Sequence, residues 1–161
     1  MTPTSREMSA ALQLIDEGFD KSGWHGPNLL GSLKGMTLAE LLFRPAPDAH
    51  NAWELALHSA YWKHVIRRRL RPEHRAGFPL PGSNFFRRDP GESVERWKED
   101  LALLKRCHAE LRLTVASLKV ADFNRKLPAS RHTYRRTIFG IAAHDIYHAG
   151  QISLLQKLAR A

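Results

Sequence analysis

Ile141-Ala-Ala-His-Asp-Ile-Tyr-His-Ala-Gly-Gln-Ile-Ser-Leu-Leu155 is the stretch on which the reading of this chain turns. It places His144 and His148 four residues apart inside a strongly apolar run. In a helix, four residues turn through about 400° and rise roughly 6 Å, so the two rings project from one face. Their neighbours at helical spacing are Ile141, Ile152 and Leu155, the kind of residues a helix turns toward a core. Two imidazoles need a reason to share that face. A divalent cation supplies one, because neutral imidazole nitrogen is its commonest protein ligand.

Two histidines rarely complete such a site, so a third ligand is expected from another element. His58 fits: Leu55, Tyr61, Trp62 and Val65 surround it at helical spacing and make a second apolar stripe. His64 is set aside, since it projects from a different side and runs into Arg67, Arg68 and Arg69. Three histidines leave at least one coordination position open, as catalytic rather than structural zinc sites do. Such an ion activates water or a thiol, and three neutral imidazoles suit zinc, nickel, iron and copper alike. Each ligand ring needs a hydrogen-bond partner to fix its tautomer. The candidates are Glu54, one turn before His58, whose plain alternative is a solvent-facing helix residue, and Gln151, three residues after His148. Asp145 points about 100° away from His144 and is a weaker candidate. Tyr61, Tyr147 and Trp62 read as packing residues.

Length and composition are consistent with one domain over residues 1–161. There is no apolar run of membrane-spanning length and no secretory signal pattern at the start. Cys107 is the only cysteine, so no intrachain disulfide can form; the expected location is the cytoplasm. The formal net charge is +9, with the positive residues scattered in short groups and no groove-reading motif or aromatic platform. That balance suits a solvated basic face or a weak funnel for an anionic small substrate better than nucleic-acid recognition.

Helical periodicity dominates, and the chain reads as all-α. A first helix is expected from Thr4, with Thr4 to Glu7 as a capping box, until Ser22-Gly23. Thr37-Leu-Ala-Glu40 is a second capping box, opening a short helix that Pro45 and Pro47 end. A second long helix spans about 48 to 70, a third about 93 to 118, and a fourth runs from about Thr133 or Arg136 to Leu158. Between the second and third lies a long connection, 71–91, carrying Phe78, Phe85 and Phe86. These rings either seal one end of the bundle or wall a substrate pocket. His108 interrupts the apolar seam of the third helix and reads as a hydrogen-bonded core residue, or else as a support for the metal site. Cys107 beside it reads as core. Gly140 and Gly150 lower helix propensity, which points to close approach of a neighbouring helix.

Three motifs, Trp53-Glu-Leu-Ala-Leu-His58-Ser-Ala-Tyr-Trp62, Gly82-Ser-Asn-Phe85 and His144-Asp-Ile-Tyr-His148-Ala-Gly-Gln-Ile152, resemble the DinB-like family of metal-binding four-helix bundles. The resemblance covers nearly the whole chain. It implies a four-helix bundle with a long crossover between helices two and three, commonly a homodimer, with zinc, nickel or iron held by His58, His144 and His148. Where the family usually has a tryptophan, this chain has Phe85 or Phe86. Implied activities are thiol-dependent S-transfer or isomerisation and metal-dependent hydrolysis, on a small molecule with no nucleic acid or membrane involved. The alternatives are a non-catalytic, metal-stabilised dimeric module and a weak nucleic-acid binder.

Overall fold

The computed structural model describes residues 5–72 and 76–161. It is all-helical, with no strand among those residues. Six α-helices follow in order: α1 (Ser5–Phe19), α2 (Leu29–Leu33), α3 (Leu38–Leu42), α4 (Ala52–Leu70), α5 (Val94–Ala116) and α6 (Tyr134–Ala159). A 3₁₀ turn, Val120–Asp122, sits between α5 and α6. No described helix is long and apolar enough to cross a membrane.

Local chemistry sets the boundaries. Thr37 forms the expected capping box with Glu40 at the start of α3. The box expected at Thr4 lies outside the described residues. Helix α4 opens later than expected, at Ala52, because Asn51 is its cap: Asn51 Oδ1 accepts from Glu54 N at 2.9 Å while its amide donates to Arg88 O. Ser93 and Thr133 cap α5 and α6 in the same way. Helix α2, which helical periodicity does not announce, is a single short helix capped by Asn28, whose side chain accepts from Gly31 N.

Helix α4 packs on α5 and α6, and α1 packs on α6 and α5. The α1 stripe Ala11, Ile15 and Phe19 recurs every four residues and is fully buried. Each of its larger side chains contributes about 1.5–3 kcal/mol relative to exposure. One apolar cluster joins α2, α3 and the first half of α4 to the connection before α5, the middle of α5 and the later part of α6; another joins α1 and the end of α4 to the C-terminal part of α5 and the start of α6. The polar groups that matter lie where these two clusters meet.

The close approach of helices is at neither Gly140 nor Gly150. A Cβ at either position would meet nothing within 4 Å. Gly18 on α1 is the close contact instead, since a Cβ there would stand 3.1 Å from Ala142 O and 3.4 Å from an Ile146 methylene.

Candidate metal centre

His58 on α4 and His144 and His148 on α6 meet between the two helices. His144 Nε2 lies 3.1 Å from His58 Nε2 and 3.1 Å from His148 Nε2, and one ligating atom from each ring falls within 4.8 Å of the others. Two of the three tautomers are set by neighbours. His58 Nδ1 donates to Asn84 O at 3.0 Å, and His148 Nδ1 donates to Gln151 Oε1 at 2.6 Å. The Nε2 atoms of both rings are therefore lone-pair acceptors. A proton on His144 Nε2 can be donated to only one of the two and leaves the other acceptor without a donor.

A cation resolves that conflict. Tetrahedral bonds of about 2.0–2.1 Å hold ligand nitrogens about 3.3–3.4 Å apart, close to the two 3.1 Å separations around His144. Burial lowers the pKa of all three rings, to about 3 for His144 and about 4 for His148, and the repulsion of neighbouring histidines adds to it. At neutral pH the rings are thus in the uncharged form that binds metal. The residues fit a divalent ion. His144 Nδ1 is buried and has no hydrogen-bond partner, so no neighbour fixes that ring through its far nitrogen.

The connection between α4 and α5 builds one side of the site. Asn84 has φ +66°, a left-handed conformation that asparagine tolerates better than most residues. In that conformation its carbonyl faces His58 while its side-chain oxygen accepts from Trp62 Nε1 at 2.9 Å. Phe85 then stacks on His58 at 4.1 Å and on His50 at 3.6 Å, forming a three-ring stack. Phe78 and Phe86 turn the other way, packing against each other and Tyr61. Both expectations for the three phenylalanines therefore hold in part: Phe85 walls the site and the other two seal the interior.

Gln151 is fixed in turn by Tyr147, to whose hydroxyl its amide donates at 3.2 Å. Glu54 does not reach His58. It is buried rather than solvent-facing, and its carboxylate takes hydrogen bonds from Arg44, from Arg88 N at 2.9 Å and from His50 Nδ1 at 3.0 Å. Burial works to raise the Glu54 pKa, but these donors outweigh it and hold the group ionised. Asp145 turns away from the cluster into an ion pair with Lys63. His64 is buried apart from the three clustered histidines, edge-on to Phe78. His108 lies in the core as expected but without the expected hydrogen bond: its Nδ1 has no partner, and the ring stacks on Phe19 at 3.6 Å. Cys107 is buried, and burial pushes its thiol up to about 11.

A cavity of about 530 Å³ opens onto the cluster, lined by the three histidines, His50, Phe85 and Gln151, with apolar side chains of α6 beyond. His50 is the residue the sequence reading missed. Its signal was the four-residue spacing to Glu54. Residues 24–152 match the family described as the DinB superfamily. The chain belongs to the DinB superfamily. No curated protein and no solved structure matches it significantly.

Proposed function

We propose that this DinB superfamily chain is a metal-dependent enzyme that activates a low-molecular-weight thiol or water, of the S-transferase or hydrolase type. His58, His144 and His148 would hold the divalent ion, zinc, nickel or iron, which when bound lowers the pKa of a thiol or water at its open position. The observation that carries the reading is the convergence of three imidazole nitrogens beside a cavity with two tautomers fixed to point inward.

The chain's own residues divide the remaining work. Asn84 and Gln151 keep the His58 and His148 lone pairs directed at the centre. His50 lines the same cavity with Nδ1 tied to Glu54, which leaves its Nε2 to accept the proton released by the reacting group. Arg44 and the Arg88 backbone hold the Glu54 carboxylate so that it orients His50. The apolar walls at Leu55, Phe85 and Leu155 limit water around the nucleophile.

We read the chain as one four-helix bundle domain whose crossover is the α4–α5 connection. The mutual packing of α1, α4, α5 and α6 supports this. A homodimer is the proposed assembly, supported by the exposed side chains of Tyr147, Leu154 and Leu158 along α6. A cytoplasmic location accords with the single buried cysteine.

The test begins with metal analysis of protein purified without a histidine tag. Low-molecular-weight thiols are then offered with electrophiles, alongside a panel of esters and amides. Turnover should vanish in His58→Ala and His148→Ala while the helical spectrum persists. His50→Ala should retain metal and lose about 10²–10⁴-fold in turnover. A wild type that holds metal, turns over nothing and unfolds when His58 or His148 is removed would leave the ion as a staple between α4 and α6.

A further inference from the structure

A second cavity, of about 260 Å³, runs between α4 and α6 and shares His144 with the first. Its lining differs in kind. Arg69 comes from α4, Arg136 from α6 and His132 from the segment before α6, and Trp62 forms part of the wall. Arg44, Arg67, Arg88 and Arg112 are each held by a carboxylate. Arg69 and Arg136 have no carboxylate partner among the described residues. The Arg69 guanidinium is anchored over the Trp62 ring at 5.9 Å, which leaves its N–H groups to other partners.

Gly140 lines the same cavity. Glycine is among the poorest helix formers, and packing does not call for it at this position, since an added Cβ would meet nothing within 4 Å. A side chain there would take up part of the groove. Two uncompensated guanidinium groups beside a position kept free of side chain make a receptor for negative charge, because the arginine fork matches carboxylate and phosphate oxygens in pairs.

We propose that this groove binds an oxyanion group of the substrate, carboxylate or phosphate. The substrate is thus a small organic anion: its charged end is held by Arg69 and Arg136, and its reacting end lies on the His144 side. The inference rests on the preceding functional reading for the chemistry at the reacting end, and not for the binding itself.

The experiment titrates metal-loaded, full-length protein with succinate, with phenyl phosphate and with neutral succinamide, read by calorimetry and by tryptophan fluorescence against a Trp62→Phe control. Saturable binding of at least one anion, and none of the amide, is expected. Arg69→Met and Arg136→Met should each weaken that binding tenfold or more. Gly140→Leu should abolish it with metal content and helical spectrum unchanged. Gly140→Ala should raise Tm by about 2–4 °C through helix propensity while weakening the anion. Binding of only one anion class identifies the oxyanion and upholds the groove. Saturation by neither anion at tens of millimolar, or unchanged affinity in Arg136→Met, overturns it. Turnover is not measured, so a metal-loaded protein that ignores every anion removes the groove alone. Protein that holds no metal yet binds the anion removes only the metal reading.

Discussion

Helices α4 and α6 bury two polar clusters side by side, and the two are built on opposite principles. Lys63 and Asp145 are both about 1% exposed and close on each other as an ion pair, with the Lys63 ammonium 4.9 Å from the Phe19 ring. His58, His144 and His148 are also largely buried, yet they present three bases to one another with no acid among them. The first cluster contains its own counter-charge. The second lacks one, so it takes an exogenous cation or remains electrostatically incomplete. Burial of polar side chains is therefore not by itself a mark of function; what separates the two is whether the charges close internally.

The largest expected effect breaks the self-contained cluster. Lys63→Met strands Asp145, whose carboxyl burial already raises to about 6, and should cost about 3–5 kcal/mol in urea denaturation. The double variant Lys63→Met/Asp145→Leu should recover most of that loss, and a double variant no more stable than the single one would show that the pair is not a closed unit. The histidine cluster should behave in the reverse manner. Saturating zinc at about a hundred times its dissociation constant should stabilise the wild type by about 2.7 kcal/mol, measured against a chelator, and His148→Ala should lose that increment while matching the wild type in chelator.

Smaller effects sharpen the contrast. Gln151→Leu frees the His148 ring and should weaken metal affinity about 10–100-fold without changing the metal-free stability. His108 supplies a pH test away from the ligands. Burial lowers its pKa to about 3, with Lys63, Arg112 and Lys21 adding to the shift and Asp16 opposing it. The unfolded chain binds a proton near pH 6.5 that the folded protein refuses until about pH 3, so the contribution of neutral His108 is present above 6.5 and lost as pH falls. Relative to His108→Leu, wild type should lose stability toward a limit of about 1.4 kcal/mol per pH unit below 6.5. Parallel pH profiles for the two proteins would show that His108 is solvated.

The three clustered histidines were legible because their signal is local. Four-residue spacing in Ile141–Leu155 and an apolar stripe around His58 are properties of single helices. The all-helical character was legible for the same reason, as was the Thr37 cap. What escaped depends on partners distant in sequence. Glu54 could be named but not placed, because Arg44 and Arg88 approach it from separate connections. The Lys63–Asp145 pair joins two helices, its partners 82 positions apart. His50 lies before the α4 cap, outside any helical stripe, and acquires its place only when Phe85 stacks between it and His58. The glycines misled because low helix propensity signals that a side chain is unwanted without saying whether a helix or a cavity excludes it.

Gly18 ties the three-histidine cluster to α1. Its missing side chain lets α1 settle against Ala142, Asp145 and Ile146, the residues that flank His144 on α6. Bulk added at position 18 would act as a wedge between α1 and α6, displacing the turn of α6 that carries His144. Were an ion held there, helix α1 would set the bite of the chelate without lending it an atom, and selectivity among cations of different radius would become tunable from a helix that carries none of the three histidines.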